Sequence, residues 1–293
     1  MWAQLSQLIG ADRIVAFNHN KVGLVHPLAL ENIRAAQSRL GSELITIDDH
    51  EMLGHFQRNL RGLLADPRPE VVRMVLCTGC RYGITKALYH EGDRLKIRKY
   101  VSGASYLELA PFKEELIDDP AAVDDYLASN PDYDYGDNIE LIRRDSGLKY
   151  KNNLSSDDGV GHVDTHLLFD FDHYFPNNPA QAESFVRQHM GWQRPERSWH
   201  FDCLVETIKD VFYYGLMGYT ESDFKLSAMV RHGLLSRAEA DHQLAVVNHR
   251  IENSLPDVLE LLDYLHCSDL RPDMIDFFRC SPYLRCDQAA VNF

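Results

Sequence analysis

No apolar run in this sequence approaches the roughly 18 consecutive residues of a membrane-crossing helix, and the first residues lack the basic stretch and cleavage pattern of a secretory leader. The expectation is a cytoplasmic protein. Positive charge is also short: 30 Lys and Arg stand against 44 Asp and Glu, for a net charge of −14. Non-specific nucleic-acid affinity comes from clustered Lys and Arg, so a broad phosphate-binding footprint is disfavoured. No GxGxxG, GxxxxGK[ST], HExxH or GxSxG occurs, which removes the usual dinucleotide, P-loop, zincin and hydrolase signals. Six cysteines in 293 residues do not make a disulfide framework in such a compartment.

What is present is an alternation of helix and strand. Trp2 to Ile9 reads as a short helix, and RIVAF (13–17) as a buried strand after the Gly10 break. A helix followed by a parallel strand is half of a βαβ crossover whose first strand is missing. Pro27 opens the next helix and Gly41 closes it, with Leu30, Ile33, Ala36 and Leu40 on one face. LITI (44–47) reads as a second strand, followed by Asp48 and Asp49 as candidate caps for a helix bearing Leu53, Phe56, Leu60 and Leu64. CTGCRYGITKALYHEG reads as a helix entered through the Cys-x-x-Cys turn and closed at Gly92, and IRKYVS (97–102) as a third strand.

This pattern predicts an α/β fold with a doubly wound parallel sheet, in which function sits at the carboxyl ends of the strands. NHN (18–20), DDH (48–50) and SGAS (102–105) then share one crevice. Residues 105–198 read as loop-rich, with HLLFDFDHYF as one further strand. The organisation expected is a core over 1–110, an acidic insertion over 111–160 containing EELIDDPAAVDDYLASNPDYDYGDNIE, and the remaining core with a helical C-terminal region over 161–293. In that last region LVETIKDVFYYGLMG is one helix, and Thr220 with Asp223 and Ser236 with Glu239 form capping boxes.

Cys77-Thr-Gly-Cys80 has the gap that turns two sulfurs toward one metal, or makes a redox pair. It is a half site, and Cys203, following His200 and Asp202, is the best third donor. Three thiolates suit a zinc ion or a [4Fe–4S] cluster; the competing reading is three small buried side chains without metal. Cys267, Cys280 and Cys286 read as structural. His162, Asp164 and His166 share a face if GHVDTHLLFDFDH is one strand, a weaker ligand set. Trp192, Trp199, Tyr213 and Tyr214 read as core before they read as stacking platforms for a sugar or base.

The stretch DCLVETIKDVFYYGLMGYTESDFKLSAMVRHGLLSRAEA, with FDFDHYF and GWQRPERSWH before it, resembles the C-terminal part of PP-loop ATP-pyrophosphatase relatives, the N-acetyl sugar amidotransferases. These share a Rossmann-like fold of the adenine nucleotide alpha hydrolase kind. The resemblance implies an SGGxDS loop after the first strand, whose amides cradle pyrophosphate. That loop and its strand are absent from this sequence, since Met1 falls about where the following helix begins. The expectation is therefore a segment of a longer protein, one half of a split enzyme, or a relative without the loop. A central parallel strand is buried on both faces, so its absence should leave unpaired backbone groups and an apolar slot.

The resemblance further implies adenine contact at Phe17, Asn18, His19 and Asn20, mostly through backbone, and nucleotide-side positions at Gly103 and Ser105. Glu108 and Lys86 become the catalytic candidates, with Tyr82 beside Lys86. Cys77, Cys80 and Cys203 are similar to the three-cysteine set of tRNA-thiolating PP-loop enzymes. The implied activity uses ATP with magnesium to adenylate an acceptor such as an N-acetyl sugar, which ammonia from a glutaminase partner then aminates. A homodimer is a candidate assembly. Two alternatives stand beside it: sulfur transfer to tRNA through a cysteine-bound cluster, and a non-catalytic nucleotide-binding subunit.

Overall fold

The computed structural model describes residues 1–103, 160–163, 166–170, 179–194 and 203–286. Among them the fold is mixed α/β and mostly helical, with a small parallel two-stranded sheet. Two compact units interleave along the chain. The first takes Met1–His50, Arg81–Tyr106 and Gly147–Cys203; the second takes Glu51–Cys80, Leu107–Ser146 and Leu204–Phe293. No described helix is long and apolar enough to cross a membrane.

In the first unit, α1 (Trp2–Ile9) is the helix its apolar spacing predicts, and none of its residues is buried. A 3-10 turn over Ala11–Arg13 delays the strand, so β1 runs Val15–Lys21 rather than starting at Arg13. Helix α2 (Pro27–Leu40) begins at the expected proline, with His26 Nδ1 accepting from the Leu28 N–H, and ends on Gly41 at φ 72°. The next strand, β2 (Glu43–Asp49), pairs with β1 in parallel from Val15↔Glu43 to Lys21↔Asp49. Asp48 and Asp49 therefore belong to the strand, and the residue at the helix start is Glu51, without a side-chain cap bond. The ladder takes their backbone, because Val22 N–H also donates to the Asp49 carbonyl.

A second sheet holds β3 (Lys99–Ser102), β4 (Val160–Val163) and β5 (His166–Asp170) in the order β3-β5-β4, with β3 and β5 parallel and β4 antiparallel to β5. His162 and His166 thus lie on two strands, where the spacing had suggested one, and Asp164 lies outside the described residues. Residues 179–190, expected within a loop-rich region, form α6 (Pro179–Met190), opened by proline at its first position. Asn32 on α2 donates to the Gln193 carbonyl at 2.8 Å and accepts from the Gln193 N–H at 2.8 Å, mimicking a strand pairing that holds the end of α6 to α2.

The second unit is a helical packing. Helix α3 (Met52–Ala65) buries Phe56, Leu60 and Leu63; α4 (Pro69–Arg73) follows. The Cys-x-x-Cys is not a turn. A π-helical turn over Met74–Thr78 joins α4 directly to α5 (Gly79–Leu95), whose first two residues belong to this unit. No proline interrupts residues 70–95, so the chain absorbs the irregularity as a π turn, a device that often marks function. Helices α7 (Val205–Met217), α8 (Glu221–Arg231), α9 (Arg237–Glu252), α10 (Leu255–Tyr264) and α11 (Arg271–Cys280) complete it. Both expected capping boxes are formed, at Thr220/Asp223 and Ser236/Glu239.

Helix α7 is the centre of that core, with Ile208, Val211, Phe212 and Tyr213 almost wholly buried and Phe212 stacked 4.8 Å from Phe277. Its end depends on Gly218, at φ 75°, whose N–H closes on the Tyr214 carbonyl; a Cβ there would stand 2.7 Å from Tyr283 Cε1. Gly218→Ala should lower the urea midpoint by the equivalent of about 1–2 kcal/mol, from left-handed strain and displacement of Tyr283. An unchanged midpoint would show that the helix end is not held by this geometry.

Candidate functional site

Two polar pairs sit at the carboxyl end of the β1–β2 ladder. Because side chains alternate along a strand, His19, Ile47 and Asp49 share one face, and Asn20 with Asp48 the other. His19 Nε2 lies 3.2 Å from Asp49 Oδ2, and Asn20 Nδ2 donates to Asp48 Oδ1 at 2.7 Å. The His19 side chain is only 4% exposed. Its other ring nitrogen, Nδ1, is buried and has no hydrogen-bond partner among the described residues. With Nε2–H given to Asp49, Nδ1 carries a lone pair, and leaving such a buried acceptor unsatisfied costs about 1–3 kcal/mol.

Burial lowers the His19 pKa from its ordinary value, against the opposing effect of Asp49 and with a smaller push from Lys21. The ring is therefore neutral at pH 7. Helix α5 approaches this face at Gly83: a Cβ there would be 3.7 Å from His19 Cε1 and 3.8 Å from Asp49 Oδ2. The absent side chain lets the α5 backbone pack close to the imidazole edge. An oriented neutral imidazole beside a carboxylate is the arrangement of a proton acceptor or of a hydrogen-bond reader.

Phe17, Asn18, His19 and Asn20 all lie on β1, so the last three, expected in the loop after a strand ending at Phe17, belong to the strand itself. What sequence reasoning missed is that His19 pairs through its side chain with Asp49, and Asn20 with Asp48. Gly103 follows β3, exposed, with the Met1 side chain 3.3 Å from where its Cβ would be. Ser105 and Glu108 lie outside the described residues, as do His200 and Asp202. Lys86 and Tyr82 fall within α5, but their side chains are outside what is described.

Cys77 lies in the π turn, Cys80 in the first turn of α5 and Cys203 just before α7, all half-buried. Among the described residues no group of three or more His, Cys, Asp or Glu is placed to hold a metal ion. Of the cysteines expected to be structural, Cys267 is fully buried, with its thiol pushed up to about 11 by burial, while Cys280 is exposed.

A second polar constellation is internal to the helical unit. Lys209, 3% exposed, donates to Glu206 Oε1 at 2.7 Å and to Glu221 Oε2 at 3.1 Å. Asp210 beside it is buried, and burial together with Glu206 raises its carboxyl to about 7. Desolvation opposes the Lys209 charge, but Glu206 and Glu221, with a contribution from Cys77, hold its pKa well above the ordinary value. A lysine so paired is a permanent cation and not a nucleophile. Glu206 stands three residues before Lys209 on α7, a spacing open to the sequence, but Glu221 comes from α8 and no pattern in the sequence announces it.

No family model matches the chain, no curated protein matches it, and no solved structure matches it.

Proposed function

We propose that this chain is an ATP-dependent amidotransferase of the PP-loop kind, with its adenosine-binding face at the carboxyl end of β1 and β2. The reading takes β2-β1 and β3-β5 as the two halves of one doubly wound parallel sheet. In the reaction it assigns, an acceptor carbonyl oxygen of an N-acetyl sugar attacks the α-phosphorus of ATP, pyrophosphate leaves, and ammonia displaces AMP from the adenylate. A glutaminase partner supplies the ammonia.

The observation that carries the reading is the polar end of the parallel β1–β2 pair, buried His19 with half-buried Asp49 and buried Asn20 with exposed Asp48, at the place where parallel sheets bind ligands. The path of α1 supports it. The helix starts with Met1 against Gly103 at the carboxyl end of β3, passes Ser42 just before β2, with Ser6 Oγ 3.5 Å from Ser42 Oγ, and delivers the chain to β1. The reading takes this path as the descending half of a crossover.

Photolabelling with 8-azido-ATP, followed by peptide mapping, tests the reading. Label is expected on residues 17–20 or 48–50 and is expected to be competed away by ATP and by AMP. Label that neither nucleotide displaces, or label confined to the helical unit, defeats it.

A further inference from the structure

We propose that Cys77 and Cys80 form a dithiol–disulfide site, with Cys77 as the attacking sulfur and a low-molecular-weight disulfide of the glutathione or cystine class as its substrate. The pair belongs to the helical unit, and the inference does not rest on the nucleotide reading above.

Three observations carry it. The two cysteines stand three residues apart on one unbroken helical run, Cys77 in the π turn and Cys80 in the first turn of α5, so they fall on neighbouring positions of one face. Helical spacing sets such Cβ atoms about 5–6 Å apart, whereas a disulfide needs roughly 3.5–4.5 Å. The backbone must supply the difference, and a π turn leading into Gly79 is where this helix can give it. A bond closed under such strain is readily reopened, which makes the pair labile and not a structural staple.

The second observation is the setting of the turn. Asn59 on α3, itself buried, donates to the Val75 carbonyl at 2.8 Å and holds the turn in place. Two buried cations, Lys209 on α7 and Arg73 on α4, share its surroundings with the carboxylates of Glu206 and Glu221. Cys77 interacts electrostatically with Lys209, and Cys77, Lys209 and Arg73 all act on the buried Tyr213. The thiolate is the attacking species, and neighbouring cations favour it over the thiol. The third is access: Cys77 and Cys80 are both half-buried, which suits a small disulfide better than a protein loop.

The reaction is thiol–disulfide exchange. Cys77 gives up its proton and attacks one sulfur of the substrate, forming a mixed disulfide, while the other half departs as a thiolate and takes up a proton. Cys80 then gives up its proton and attacks Cys77 Sγ, closing the Cys77–Cys80 bond and releasing the second half as a thiol. Two electrons pass from the cysteine pair to the substrate, which leaves as two thiols.

The test incubates the full chain anaerobically with glutathione disulfide, blocks the remaining thiols with N-ethylmaleimide, and maps the peptides by mass. The unaltered chain is expected to lose two of its six alkylatable thiols to a Cys77–Cys80 link. Cys80→Ser should instead accumulate glutathione on Cys77, because nothing resolves the mixed disulfide, and Cys77→Ser should leave Cys80 alkylatable. Far-ultraviolet circular dichroism checks that both variants are folded. A readout that needs no variant is the alkylation rate of each thiol in the reduced chain: half-buried Cys77 is expected to react at least about threefold faster than exposed Cys280.

A link from Cys77 to Cys203, or oxidation at Cys280 while Cys77 and Cys80 stay alkylatable, overturns the proposal. So does a Cys77 that reacts no faster than Cys280, or a glutathione adduct on Cys77 that persists in the unaltered chain.

Discussion

Glu206→Gln and Glu221→Gln combined in one chain are expected to lower the unfolding free energy by about 3–5 kcal/mol, the usual effect of stripping a buried charge of its partners. The Lys209 side chain is 4% exposed and both of its hydrogen bonds run to these carboxylates, at 2.7 and 3.1 Å. With both acids neutral, the ammonium keeps its desolvation penalty and loses the attraction that offsets it. Lys209→Met should be milder, because the Glu206 and Glu221 side chains are 26% and 19% exposed and recover water when the cation goes. The ordering is what distinguishes a paired buried cation from general disturbance of the core. Urea unfolding of the three chains at pH 7 gives it directly, and a Lys209→Met chain less stable than the double glutamine variant would contradict this account.

Local signals carried much of the fold. Pro27 and Gly41 bound α2 because proline fixes the first helical φ and glycine alone takes the left-handed closure without strain. The Thr220 and Ser236 caps were legible because a capping box is a four-residue event. The failures share a cause in non-local structure. Asp48 and Asp49, read as caps from their place before a helix, are strand residues because β1 pairs alongside them through Asn20 and Lys21. A continuous helix through Cys77 and Cys80 was hidden by Gly79, which reads as a breaker until the π turn before it is seen. The His19 partner was invisible for the same reason as Glu221, the second partner of Lys209. Parallel register and helix packing bring together residues 30 and 12 or more positions apart, and periodicity says nothing about such pairs.

Asp210→Asn is expected to raise stability at pH 8 and to leave it almost unchanged below pH 4. The carboxyl of Asp210 titrates near 3.8 in the unfolded chain and at about 7 in the folded one, raised first by burial and then by Glu206, with Lys209 and Arg250 pulling the other way. Between those two values the folded state binds the proton and the unfolded state does not. Stability contributed by this group is thus complete at low pH and is lost as pH rises through about 7, the reverse of a salt-bridged aspartate. The amide removes the titration while keeping the shape, so the gain should grow from pH 5 to pH 8 and reach on the order of 2–4 kcal/mol. Paired urea curves at pH 5 and pH 8 measure it. A variant that is less stable than the parent at pH 8 would mean that Lys209 and Arg250 hold the carboxylate ionised, and would place Asp210 among the counter-ions of the buried lysine.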